Sequence, residues 1–158
     1  MAKSSVDRIR DALVAAGQAD TIRAFPEGTR SAADAARAVG CTVAQIVKTL
    51  VFRAGDEPVL LLVSGVNRVD VQKASAVFGA ALAPADGRWV RDATGFAIGG
   101  VAPVGHERAP RALIDEDLLP LSPLWAAAGS PTHVFAIEAA ALVAITGGIV
   151  AEIRESGR

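Results

Sequence analysis

The sequence predicts a mixed α/β fold: a single domain over residues 1–158 in which one curved, barrel-like mixed β-sheet is surrounded by helices. Three observations point there. Apolar, β-branched runs of strand length occur at 46–52 and 59–63, and further strand-like stretches at 111–115, 124–129 and 132–137. Among them lie stretches with apolar residues at helical spacing, opened by polar N-caps and closed by glycines. The connections mix hairpin and crossover lengths, which suits a mixed sheet better than a regular doubly wound parallel one. With 158 residues, 51% hydrophobic and 21% charged, the chain can fill one core and is too apolar for a disordered polymer.

Val6, Ile9, Ala12, Leu13 and Ala16 mark a first helix, capped by Ser4 or Ser5 and stopped at Gly17. Thr21-Ile22-Arg23-Ala24-Phe25 reads as a short strand ended by the turn Pro26-Glu27-Gly28. Ser31 and Asp34 open a helix that closes at Gly40, and Thr42 caps one further turn. The run 46–52 then reads as a strand buried on both faces, joined through Gly55 and Asp56 to the apolar strand 59–63. Asp70 caps a helix from Val71 to Phe78 with Gly79 as terminator. A short strand and a helical turn carrying Trp89 are expected before Arg91, and strands at 111–115, 124–129 and 132–137 follow. Glu138 opens the last helix, to Ile145, and 149–153 closes the sheet.

The net charge is −1, without blocks of like sign, so any nucleic acid is gripped locally rather than by a broad basic face. Cys41 is the one cysteine, which excludes an intramolecular disulfide and a cysteine-based zinc site; no metal or other cofactor is expected. The N-terminal residues form no apolar signal core, and no stretch approaches the ~20 apolar residues of a membrane span, so a cytoplasmic protein away from the membrane is expected.

Lys48 carries the most information. Side chains alternate along a strand, which puts it on the face of Ile46, Leu50 and Phe52, where an ammonium must shed hydration. Either its stem packs and its head reaches water, or it stands at a pocket wall to meet an anion. The second signal is the loop 94–106, whose Gly99, Gly100 and Gly105 let backbone N–H groups approach a ligand, as an oxyanion hole requires. A tight structural turn is the competing reading. The loop is neither a Walker A nor a Rossmann turn, and no G-x-S-x-G serine signature occurs. His106 and His133, the only histidines, lack a third ligand at metal spacing. The acidic run Asp115-Glu116-Asp117 reads as a solvated turn with Asp115 as a cap. A lysine, backbone amides and at most a histidine point to hydrolysis by water rather than covalent catalysis.

Gln45-Ile46-Val47-Lys48-Thr49-Leu50, Val69-Asp70-Val71-Gln72-Lys73 and the loop from Thr94 to His106 together resemble the YbaK/EbsC-type family, freestanding relatives of the editing domain of bacterial prolyl-tRNA synthetases. The resemblance runs from Ser31 to about Glu152. It implies hydrolysis of the ester joining a wrong amino acid (Ala, Ser, Thr or Cys) to the 3′ end of a tRNA, most often tRNA for proline. A synthetase or an elongation factor would be the protein partner. By resemblance Lys48 is the essential lysine that holds the terminal adenosine or its phosphate, and Gly99 and Gly100 polarise the ester carbonyl. Ser64, Gly65, Pro103, Gly105, His106 and His133 are the expected substrate-binding residues, His133 shaping the amino-acid pocket. The alternative is a non-catalytic module that captures a nucleotide or amino acid in the same pocket; a third reading makes Lys48 a Schiff-base nucleophile.

Overall fold

The computed structural model describes residues 4–25 and 31–156, so the turn expected at Pro26-Glu27-Gly28 lies outside the described residues. Helix α1 (Ser5–Ala15) begins where the Ser4 hydroxyl accepts the Asp7 amide, and it buries Ile9 and Leu13. After β1 (Arg23–Ala24), only two residues of the expected strand, comes α2 (Ala32–Val39), capped by Ser31 and ended by left-handed Gly40. A 3-10 turn (Val43–Gln45) feeds β2 (Val47–Ala54), which folds back through Gly55 and Asp56 into β3 (Glu57–Ser64). Then follow α3 (Val71–Phe78), β4 (Ala83–Pro84), α4 (Gly87–Thr94), β5 (Arg111–Asp115), β6 (Leu124–Ala127), β7 (His133–Ile137), α5 (Ala139–Thr146) and β8 (Ile149–Ala151). The caps expected at Asp70 and Gly79 hold. The turn expected around Trp89 is the full helix α4, opened by Asp86.

The strands form two sheets rather than one curved barrel-like sheet. The larger has the order β4-β2-β3-β5-β8, antiparallel around β2 and parallel from β3 through β5 to β8. The smaller is antiparallel, β1-β7-β6. They meet at a single parallel bridge between Ile46 and Trp125, so pairing never closes around the core. Gln45 reinforces that junction: its Nε2 donates to the carbonyls of Ser122 and Pro123 just ahead of β6, while its Oε1 accepts the Thr42 amide.

The strand buried on both faces is β3, not β2. Leu60 and Leu62 face the main core with Ile9, Leu13, Phe96, Phe135 and Leu142, whereas Val59, Leu61 and Val63 face a second core with Ala74, Leu113 and Ile153. Such central strands read as continuous apolar runs because helices cover both faces. In β2 only Val47 is fully buried, and residues 48–54 are half-exposed. The physical reason is the position of β2 at the junction of the two sheets, where one of its edges stays open.

Candidate active site

Strand β2 is paired along its full length with β3, but its other edge meets β4 only at Phe52 and Arg53. Between those residues and the Ile46–Trp125 bridge, residues 47–51 border a cleft of ≈ 550 Å³. Opposite lie Trp125, Ala126 and Ala127 of β6 and Val134 of β7; α2 contributes Ser31, Ala32 and Ala35, and the glycine loop contributes Ile98, Gly99 and Val101. The volume and the predominantly apolar wall are those of a small-molecule site, at about 300–1,000 Å³. The failure of β2 and β6 to pair beyond one bridge therefore opens the cleft.

Lys48 borders this cleft and also a second pocket of ≈ 210 Å³, where its ammonium donates to the carbonyl of Asn67. That carbonyl is fixed from behind. The Asn67 side-chain amide donates to Asp115 Oδ2 at 2.8 Å and Asp117 Oδ2 at 2.9 Å. Asp115 also accepts the amides of Ser64 (3.1 Å) and Asp117 (3.0 Å), and it is completely buried. The acidic run is thus solvated only in part: Glu116 is exposed and Asp115 caps the 3-10 turn (Glu116–Leu118) as expected, but Asp115 belongs to the core because three donors converge on it. Burial pushes the Lys48 ammonium below the ordinary lysine range, the nearby Arg68 pushes it the same way, and Asp115 partly opposes them.

The glycine loop is held by its own bonds. Gly99, at φ 88°, borders the cleft with open space where a Cβ would stand. Gly100 turns its amide back onto Ala97 O at 2.9 Å and packs against the backbone of Ser130, 2.8 Å from an added Cβ. Gly100→Val therefore displaces the loop from the β6–β7 turn. Turnover is expected to fall by at least tenfold with a smaller rise in KM, and an equal loss in both would make the loop a shaping element only.

The remaining expected substrate-binding residues do not line the cleft. Ser64 is buried, its hydroxyl donated to Ala44 O, while Gly65 lies at the small pocket. Pro103 is buried, and Gly105, at φ 78°, sits so close to α1 that a Cβ would stand 2.6 Å from Ile9 Cδ1. His106 donates Nε2–H to Ala102 O at 2.6 Å and meets the Phe96 ring edge-on at 4.9 Å. His133 Nδ1 lies 2.7 Å from the Ser130 hydroxyl and 3.0 Å from that of Thr132.

Burial lowers the pKa of His106, helped by Arg8 and opposed by the Ala102 carbonyl. The unfolded chain therefore takes up this proton first, near pH 6.5. Stability from His106 is complete above that pH and declines on acidification until the folded value is passed. His106→Gln should flatten the fall in melting temperature between pH 7.5 and 5.5; an unchanged profile would show that the histidine does not titrate with unfolding.

The sequence does not single out Asn67, Arg68 or Arg154; Asp115 and Asp117 stand out there only as part of an acidic run, and Thr49 only within the lysine strand, although its hydroxyl is buried beside the cleft without a partner. One signal for Asp115 existed: it directly continues the apolar strand Ala112-Leu113-Ile114. Among the described residues no group of three His, Cys, Asp or Glu side chains is arranged to hold a metal, and no helix is long and apolar enough to cross a membrane.

Residues 26–145 match the model of the aminoacyl-tRNA editing domain. The chain is 42% identical, with a TM-score of 0.89, to a solved structure of a protein put forward as a trans-editing enzyme for prolyl-tRNA synthetase, covering 99% of this chain and 100% of that one. A scaffold protein used for computational epitope grafting is 40% identical with a TM-score of 0.88, covering 98% and 100%. Uncharacterized protein YwhH of Bacillus subtilis (strain 168) is 30% identical over 107 residues, 67% of this chain and 68% of that protein. The lysine strand, the glycine loop and the extent of these matches agree: the chain belongs to the aminoacyl-tRNA editing domain family of the YbaK type.

Proposed function

We propose that the protein is a trans-editing hydrolase that deacylates mischarged aminoacyl-tRNA, tRNA for proline carrying Ala, Ser, Thr or Cys being the favoured substrate. The observation that carries this reading is the cleft at the open edge of β2, which brings Lys48 and Gly99 to one small-molecule-sized space. In this reading the aminoacylated terminal adenosine enters the cleft. Water adds to the ester carbonyl carbon, and the oxyanion forms near the Gly99 end of the loop, where backbone N–H donors are worth about 2.7–4 kcal/mol each in other hydrolases. Collapse breaks the bond to the ribose oxygen, which leaves with a proton as a hydroxyl, freeing the amino acid and the tRNA.

No histidine borders the cleft, so water is oriented by the substrate's own vicinal ribose hydroxyl rather than by an imidazole. Lys48 contributes charge: a partly desolvated ammonium attracts phosphate or ribose oxygens more strongly than one in bulk water. The small alanine side chains of the wall suit a small amino acid. Discrimination of one methylene is worth only about 1–3 kcal/mol, so several such esters can be accepted.

The test is deacylation of tRNA for proline charged in turn with Ala, Ser, Thr, Cys and Pro. Accelerated loss of one or more non-cognate esters, with prolyl-tRNA spared, supports the reading. A flat panel with folded protein sinks it. The engaged Gly100 amide favours a non-catalytic binding module as the second reading; saturable ligand binding without turnover would establish it.

A further inference from the structure

The small pocket behind Lys48 is unexplained by hydrolysis. It measures ≈ 210 Å³, its wall is more polar than apolar, and Lys48, Gly65, Asn67, Arg68, Arg154 and Glu155 border it. Three cations face one acidic side chain at its rim, since Asp115 and Asp117 are engaged by Asn67, backbone amides and Arg154. Arg154 is only half satisfied: Nη1 lies 3.2 Å from Asp117, whereas Nε is buried with no acceptor. Arg154 and Val69 form an isolated β-bridge and Asp70 N–H donates to Ile153 O, which fixes the Arg154 backbone beside the 65–68 loop. Arg68 stands close enough to Lys48 to repel its ammonium, and the anion that partly offsets this, Asp115, is already engaged by Ser64, Asn67 and Asp117. Charges so gathered cost free energy unless an anion joins them.

We propose that this pocket is a phosphate subsite, in which Arg68 and Arg154 flank Lys48 to hold an internucleotide phosphodiester of single-stranded RNA whose 3′ end occupies the large cleft. Lys48 borders both spaces, so one ligand can reach from one to the other. The proposal rests on the editing reading for the identity of the ligand. Arginine suits the task because its planar fork meets two phosphate oxygens at once. The near-neutral net charge fits as well, since affinity for RNA then comes from a few local contacts.

The experiment is a salt titration of binding between the full-length protein and an uncharged RNA minihelix ending in single-stranded CCA, read by fluorescence anisotropy. Arg68→Gln and Arg154→Gln should each weaken binding about tenfold and lower the magnitude of the log K against log salt slope by about 1. Arg10→Gln, which removes an equal charge on α1, serves as the control for net charge. Circular dichroism checks that Arg154→Gln, which also loses its Asp117 partner, stays folded; Arg68→Gln stands alone if it does not. Wild-type affinity and slope in Arg68→Gln, or an equal loss in Arg10→Gln, would overturn the subsite, as would a wild-type protein that does not bind the RNA at low salt. Deacylation is scored separately. Arginine-dependent binding without hydrolysis of any ester would leave the subsite standing and remove the editing reading; hydrolysis with arginine-independent binding would do the reverse.

Discussion

Replacing Lys48 with alanine lowers the single-turnover rate of deacylation by about 100-fold and leaves the melting temperature equal to or above that of the wild type. The first half follows from removal of a charge-assisted hydrogen bond, worth about 1.5–3 kcal/mol and stronger in a partly desolvated cleft. The second half follows from the sign of the Lys48 shift. Its folded pKa lies below the unfolded one, so the protonated ammonium opposes folding at every pH below the folded value, and that penalty is relieved as pH rises toward the unfolded value of about 10.4. Lys48→Met, which keeps the apolar stem, should therefore be stabilised at neutral pH, with an advantage that shrinks in alkali. The wild-type rate, corrected for uncatalysed ester loss, should decline with pH before an ordinary lysine would titrate. A Lys48→Ala protein that hydrolyses at the wild-type rate removes the lysine from the reaction. One that melts far below the wild type makes it structural.

Lys48 was legible from the sequence because a charge inside an apolar β-branched run violates a local rule, and such violations concentrate at functional sites. Caps and stops were legible for the same local reason: Ser31, Asp70, Gly40 and Gly79 act within one turn of their own positions. Sheet closure was not. Whether β2 pairs with β6 depends on residues as far apart in sequence as Ile46 and Trp125, and no local pattern distinguishes one bridge between them from a full ladder. The burial of β2 departs from the expectation for that reason: both strands carry apolar, β-branched residues, but β2 has an open edge and β3 is paired on both sides. In the glycine loop, composition showed that backbone would approach something closely. It could not show that Gly100 would approach Ser130 and Gly105 would approach Ile9, leaving Gly99 to face the cleft. The grouping of Asn67, Asp117 and Arg154 is not legible in the sequence because its members are polar, lie on separate segments, and meet only in three dimensions.

Asp115→Ala should be the most destabilising polar substitution at the site, lowering stability by about 3 kcal/mol or more, read as a shift in the urea midpoint at constant slope. The carboxylate is completely buried and accepts from Ser64 N, Asn67 Nδ2 and Asp117 N; alanine leaves those donors facing a void. Each stranded donor costs about 1–3 kcal/mol, less than additively because Asn67 keeps its bond to Asp117. Asp115→Asn keeps the volume and one acceptor but turns an NH₂ group toward a donor, so it should fall between the two. Activity should fall with stability, and for a traceable reason. The same carboxylate orients Asn67, whose carbonyl receives the Lys48 ammonium, so loosening it frees the lysine to leave the wall between the two pockets. In Asp115→Asn, assayed well below its melting temperature, kcat should therefore drop while the bulk of the protein is folded. Wild-type kcat in that variant would mean that Lys48 is positioned by its own strand alone. A wild-type urea midpoint for Asp115→Ala would mean that water replaces the carboxylate, contrary to its complete burial between β3 and the 3-10 turn (Glu116–Leu118).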